Sequence, residues 1–256
     1  MKIDYEINNN QLDFYRTKGY LVCRDIFSSE GIKNIIQWTH EIENLPETKG
    51  KWMKYYDPSL TNPSKKILTR IENFFDFHKN FKDFFNSKKI LNLISKLHGS
   101  EIVLFKDKIN LKPPGSKGYK AHQDATIWEN MYGIKSFISM AVSLDFANLE
   151  NGCIEVVENK HKEGLLSSSW KEIPKNVEVK LNWTTIQTSP GDVIFFGDYT
   201  PHRSADNFSD KSRRLIFLTY NNLSEGDHRQ RHFKDKRKNY PPNIEREKWK
   251  EYKFHV

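Results

Sequence analysis

The chain has 256 residues, 41 basic and 33 acidic side chains, and a net charge of +8. That length suits one domain with a large core, and no run of eighteen apolar residues offers a membrane span. Two cysteines, Cys23 and Cys153, and the start Met1-Lys2-Ile3-Asp4-Tyr5 predict a cytoplasmic protein with neither a disulfide framework nor a thiolate metal site.

Residues 11–18 read as a short helix leading to the strand Tyr20-Leu21-Val22-Cys23. Ser28-Ser29-Glu30 opens a second helix, with Ile32, Ile35, Ile36 and Ile42 at helical spacing. The stretch 53–68, polar and aromatic with Tyr55-Tyr56-Asp57-Pro58, reads as a loop able to reach over an active site. A further helix covers Ser87 to Leu97, buries Ile90, Ile94 and Leu97, and stops at Gly99. From Ile102 the chain turns β-rich, with strands expected at 102–111, 119–122, 136–144, 153–157, 184–188, 192–196 and 213–220. Residues 160–183 form an insertion, and Trp249 and Tyr252 are expected to dock the polar tail that follows Pro241-Pro242. The basic stretch His228–Lys238 reads as a solvated face. Its charge also raises the local concentration of small anions. Helices first and antiparallel strands after give a β fold with flanking α. The expected architecture is a double-stranded β-helix (jelly-roll, cupin-like) core at roughly 101–222, helical support at roughly 1–100 and a C-terminal segment at 223–256, all one domain.

Two separated segments carry the chemistry. His122-Gln123-Asp124 offers an imidazole and a carboxylate two residues apart, which on a strand share a face. His202, in Pro201-His202, adds a second imidazole. Two His and one carboxylate make the facial triad that holds non-heme Fe(II) and leaves positions open for a co-substrate and O2. A His-x-Asp alone is as well explained by a turn or a helix cap, and His202 alone by a hydrogen-bonded core histidine. The order decides: turn, strand, His, strand, Arg is what converging ligands inside one barrel requires. Arg213, beyond His202, then suits an acidic co-substrate such as 2-oxoglutarate, because its planar fork can bond both carboxylate oxygens.

Four segments resemble the phytanoyl-CoA dioxygenase family of Fe(II)/2-oxoglutarate oxygenases. They are Phe14–Val22, His122-Gln123-Asp124, Asn151-Gly152-Cys153-Ile154-Glu155-Val156-Val157 with His161, and Pro201-His202-Arg203-Ser204 with Asn207 and Arg213. The resemblance covers most of the chain. It implies Fe(II) on His122, Asp124 and His202, with the far carboxylate of 2-oxoglutarate on Arg213 and Ser204. Arg214 then points to the opposite strand face. Lys106–Pro113, Thr219-Tyr220-Asn221 and Ser224–Arg229 are similar to bacterial oxygenases that hydroxylate the carbon next to phosphorus in small organophosphonates. That similarity implies an anionic substrate of the methylphosphonate or 2-aminoethylphosphonate type, succinate and CO2 as co-products, and a phosphonate-cleaving enzyme acting on the product. Lys108, Asn110, Gln123 and Arg203 are candidate donors to the substrate, and Thr126, Trp128 and Tyr132 candidate walls. Each has a plainer role as an exposed strand residue or a core aromatic. Asp124 speaks for hydroxylation, since halogenating relatives carry a small non-ligating residue there.

Three other readings remain. The same chemistry could act on an amino acid, a betaine-like compound or a natural product, which a substrate panel separates. A non-catalytic cupin-like binding protein needs no distal arginine and forms no succinate. A nucleic-acid demethylase fits the charge, but the chain lacks a groove of interleaved aromatic and basic residues.

Overall fold

A computed structural model describes residues 5–168 and 172–252, apart from the side chains of residues 126, 127 and 130. Asn8 accepts the backbone N–H of Gln11, and the Gln11 side chain returns the bond, so helix α1 (Asn9–Lys18) opens on a reciprocal cap. Gly19 ends it at φ 86°, a conformation a Cβ would oppose, and strand β1 (Tyr20–Cys23) follows. Ser28 caps α2 (Ser29–Asn44) through a bond from the Gly31 N–H at 3.1 Å. Strands β2 (Met53–Pro58) and β3 (Lys66–Glu72) come next, then α3 (Lys79–Phe85) and α4 (Lys88–His98). Ile90, Leu93, Ile94 and Leu97 are buried on one side of α4, each stabilising by roughly 1.5–3 kcal/mol.

The second half supplies β4 (Ile102–Asn110), β5 (Tyr119–His122), α5 (Ala125–Tyr132), β6 (Phe137–Ser143), β7 (Ile154–Val157), the short α6 (Lys175–Glu178), β8 (Trp183–Ile186), β9 (Val193–Gly197), β10 (His202–Ser204), β11 (Leu215–Asn222) and α7 (Arg229–Asn239). Seven strands form one sheet in the order β1-β9-β6-β11-β4-β3-β2, and four form another, β5-β10-β7-β8. Every pairing among the named strands is antiparallel. One apolar cluster joins the sheets face to face through Ile154, Val156 and Ile186 on one side and Ala141, Ile194, Phe196, Leu215 and Phe217 on the other. The larger cluster packs the outer face of the seven-stranded sheet, through residues such as Ile109, Val142, Phe195 and Ile216, against α2, α3 and α4. Helix layer, large sheet and small sheet thus stack in that order, with the expected helical support on one side.

The strands expected from Ile102 onward lie within two residues of the observed ones. The stretch expected as a loop over the active site is instead the β2–β3 hairpin, joined by 59–65. Its polar residues hid it: Lys54 is buried, donating to the Glu43 and Leu45 carbonyls, while Arg70 pairs with Glu72 at 2.8 Å. The free edge of β2 is covered by Asn243, whose amide bonds the Tyr56 N–H and C=O in place of a further strand. Tyr240, stacked on Tyr55, and Asn243 hold the C-terminal segment to the hairpin. Trp249, expected to dock that segment, is 81% exposed. Tyr252 meets Arg246 and Lys250 of its own segment.

Candidate active site

The two imidazoles meet because β5 and β10 are antiparallel neighbours whose register sets His122 directly opposite His202. Their ring centroids lie 4.2 Å apart. Each ring uses Nδ1 on a backbone carbonyl two residues before it, His122 on Lys120 at 2.7 Å and His202 on Thr200 at 3.0 Å. That bond places the proton on Nδ1 and leaves the Nε2 lone pair free to ligate. Asp124 arrives differently from the expected strand alternation. β5 ends at His122, and Asp124 stands in helical backbone at the cap position of α5, with no capping bond from its side chain. The turn swings its carboxylate to 3.9 Å from His122 Nε2. One atom from each of the three lies within 4.8 Å of the others.

Protonation states suit a metal. Burial, then the neighbouring His202, pushes His122 down to about 3, and burial likewise lowers His202. Burial alone would raise Asp124, but Lys106, His202, His122 and Lys108 together hold its carboxyl below the usual range. Two neutral imidazoles and one carboxylate on one side of an open cavity fit octahedral Fe(II).

The set opens on a cleft of about 1170 Å³, its mouth included. Arg213 lies in this cleft, 1% exposed. Its Nη2 donates to the Gly152 carbonyl at 2.9 Å, while Nε and Nη1 are buried with no partner among the described residues. Burial pushes this guanidinium down to about 10. A buried cation with two unused donors fits the far carboxylate of 2-oxoglutarate. Ser204 shares the inner face of β10 with His202, and its Oγ accepts from Lys112 at 2.9 Å and from the Tyr119 N–H at 3.3 Å. Arg214 points the other way, onto Asp145 and Glu43.

Lys108, Asn110, Trp128 and Tyr132 line the same cleft. Two expectations change. Gln123 turns its amide away: it donates to the Gly164 and Tyr199 carbonyls and accepts from the Leu166 N–H, so it staples the following loop. Arg203 borders the cleft, but its guanidinium pairs with Glu155 at 3.0 Å and Glu178 at 2.6 Å and stacks on Trp183. Strand alternation explains this, since the neighbours of an inward His202 face outward. The Thr126 side chain lies outside those described.

Three features were missed. Lys106 shares the inward face of β4 with Lys108 and Asn110, while Asp107 between them faces the helix side, bonded to the Phe74 and Phe75 N–H groups. Period-two alternation along Lys106-Asp107-Lys108 was signal enough to find it. Lys112 is buried and ties the Gly152 carbonyl, Ser204 and the Ala205 carbonyl together. The basic stretch 228–238 is not a wholly solvated face: His232, Asp235, Lys236 and Asn239, on one side of α7, close the cleft.

Residues 15–215 match the phytanoyl-CoA dioxygenase family model. The chain is 40% identical to a 2-aminoethylphosphonate dioxygenase from an uncultured bacterium over 93% of its own length and 90% of that protein. It is 34% identical to a methylphosphonate hydroxylase from Gimesia maris, covering 91% and 88%. The fold is that of EctD from S. alaskensis, solved with 2-oxoglutarate and 5-hydroxyectoine (TM-score 0.74, 20% identity, 88% of this chain and 79% of that one). No helix among the described residues is long and apolar enough to cross a membrane. The chain belongs to the phytanoyl-CoA dioxygenase family and is an oxygenase dependent on Fe(II) and 2-oxoglutarate.

Proposed function

We propose that this oxygenase hydroxylates the carbon next to phosphorus in a small organophosphonate. The observation that supports the substrate class is the lysine pair on β4. Lys106 and Lys108 line the cleft near Asp124, and neither has a carboxylate within ion-pair distance among the described residues. Burial, then Lys106, pushes the Lys108 amine down to about 7, and burial lowers Lys106 as well. A phosphonate dianion relieves both, because an opposite charge favours the ammonium form. Asn110, already accepting from the Tyr119 hydroxyl at 3.0 Å, keeps amide hydrogens for the same oxygens. The two relatives named for phosphonates, each matched over most of its length, support the same class.

His122, Asp124 and His202 hold Fe(II), and Arg213 with Ser204 holds the far carboxylate of 2-oxoglutarate. Bound there, the metal with 2-oxoglutarate and O2 supplies the oxidising power, and succinate and CO2 leave with the hydroxylated product. The chain's own work is positioning. The lysines would fix the phosphonate in the cleft that His122, Asp124 and His202 also line, so that the neighbouring carbon is presented to that site. Trp128, whose ring lies under the Lys106 amine, and Tyr132, both over 90% buried, wall the cleft beside the lysines and exclude water. The cleft draws on β3, β4, β5, α5, β7, β10, β11 and α7, which supports one domain over 1–256. Cys23 and Cys153, buried and unpaired, support a cytoplasmic location. The product suits a carbon–phosphorus-cleaving enzyme as the next step.

Succinate formation by the Fe(II)-loaded protein across phosphonates, amino acids and an acyl-CoA, with phosphorus NMR on the phosphonate samples, tests the reading. Coupled succinate and a shifted phosphorus signal are expected. Succinate stimulated only by a compound without phosphorus refutes the substrate class.

A further inference from the structure

The cleft has a second wall that the reaction itself does not require. On α7, His232, Asp235, Lys236 and Asn239 recur at three- and four-residue spacing and face the space above the lysines. Its charges sort themselves. Lys236 pairs with Glu72 at 2.5 Å, and Glu72 also takes Arg70 at 2.8 Å, so that carboxylate is neutralised twice. Among the described residues Asp235 has only Arg231 as a cationic partner within ion-pair distance, at 3.8 Å, and that arginine side chain is 60% exposed. Such a pair is weak. Tyr132 donates its hydroxyl to Asp235 Oδ2 at 3.2 Å, which aims the carboxylate along the cleft wall. Beside it the His232 ring lies on Phe105, 4.5 Å between centroids, and its buried Nε2 has no partner among the described residues. A buried nitrogen left unbonded is costly, and a substrate N–H would satisfy it.

Helix α5 spaces the two poles. Lys106 Nζ sits 3.8 Å from the centre of the Trp128 ring, and Asp235 sits on Tyr132, four residues later. Four residues of helix rise about 6 Å. A two-carbon aminophosphonate spans about 4 Å from phosphorus to nitrogen when extended, and with a hydrogen bond of about 3 Å at each end it reaches groups up to about 10 Å apart, enough for side chains that meet α5 one turn from each other. The cleft is therefore cationic at one end and anionic at the other, in the sense a zwitterion needs.

We propose that Asp235, with His232 beside it, receives the ammonium of an aminoalkylphosphonate, so that α7 sets preference for an amino-bearing substrate over a plain alkylphosphonate. The proposal rests on the phosphonate reading above and is separable from it. The test compares 2-aminoethylphosphonate with ethylphosphonate, which has the same chain and no amine. Both are measured on wild type, Asp235→Asn and Asp235→Glu. Asparagine keeps an acceptor for Tyr132, and glutamate keeps the charge should the asparagine variant fold poorly. Two readouts serve: dissociation constants from calorimetry on the anaerobic Fe(II)–2-oxoglutarate protein, and kcat/KM from phosphorus NMR. Wild type should favour the amino compound at least tenfold. Asp235→Asn should cut that preference tenfold or more, chiefly in KM, and Asp235→Glu should recover part of it. A wild type indifferent to the amine, or an Asp235→Asn variant with full preference, overturns the proposal while ethylphosphonate hydroxylation keeps the phosphonate reading. If neither phosphonate binds or reacts with wild type, the reading and the proposal fall together.

Discussion

Replacing Arg213 with methionine should move stability and co-substrate binding in opposite directions. In the ligand-free protein the guanidinium is 1% exposed and has one protein acceptor, the Gly152 carbonyl. Burial lowers its proton affinity to about 10, which corresponds to a cost of about 3 kcal/mol for keeping the charge. The charged form is the penalised one, so this cost is present at every pH below about 10, the whole neutral range included. Methionine removes it and gives up one charge-assisted hydrogen bond of about 1.5 kcal/mol. The ligand-free variant should therefore gain about 1–2 kcal/mol, or roughly 2–8 °C in Tm for a chain of this size. Binding of 2-oxoglutarate loses two charge-assisted bonds, about 3–6 kcal/mol, and weakens more than about 100-fold. Wild type with 2-oxoglutarate at about 100 times its Kd gains about 2.7 kcal/mol of stability; the variant should gain nearly none. Anaerobic thermal denaturation with Fe(II), with and without 2-oxoglutarate, reads both effects. A variant that keeps the 2-oxoglutarate shift, or whose ligand-free Tm falls by several degrees, refutes the assignment and the electrostatic argument respectively.

Asp124→Ala should lower metal affinity and succinate formation by more than about 100-fold, since losing a ligand exceeds the 10–100-fold effect of losing a ligand's supporting partner; equilibrium dialysis and a succinate assay check this, and wild-type succinate would remove Asp124 from the metal site. The free-enzyme Lys108 amine, at about 7 through burial and Lys106, must be protonated to attract a phosphonate. Phosphonate kcat/KM should therefore fall about tenfold per pH unit above 7, and Lys108→Arg, charged throughout, should flatten the fall; a flat wild-type profile contradicts the role. Gln123→Ala should cost about 2–4 kcal/mol by stripping the partners of Gly164, Tyr199 and Leu166, seen in denaturant melts. A rise in phosphonate KM without loss of stability would return Gln123 to the substrate contacts.

The elements after Ile102 were legible because each is short, apolar on a period of two and bounded by turns; Val193–Gly197 and Leu215–Asn222 are buried along nearly their whole length. β2 and β3 were not, because what stabilises Lys54, Arg70 and Glu72 inside the protein is a set of partners remote in sequence, such as Lys236 on Glu72. The metal triad was legible as composition and order but not as geometry. Strand alternation gave a sound expectation for a wrong reason: Asp124 reaches the imidazoles through the turn into α5, a helix not foreseen from the sequence. Asp124 is a residue type that caps helices, and it does stand at the cap position of α5, but its side chain makes no capping bond and turns to the imidazoles instead.

α7 is the sharper case. Periodicity sees a mean charge, and eleven residues with six Lys or Arg read as a solvated surface. What fixes this helix is Arg229, paired at 2.5 Å with the fully buried Asp107 of β4 and laid against Phe233. Asp107 stands between Lys106 and Lys108, so one strand holds the helix with its outward carboxylate and supplies the cleft with its inward amines. The coupling has a consequence. Asp107→Asn should weaken the hold on Arg229 and let the wall carrying His232 and Asp235 drift, while leaving the metal ligands on β5 and β10 in place. Hydrogen exchange should then rise along α7 and not along β10, and any discrimination between substrates should suffer more than 2-oxoglutarate binding. Equal loosening of both elements would mean that the helix and the metal site are one cooperative unit rather than a fixed centre with an adjustable wall.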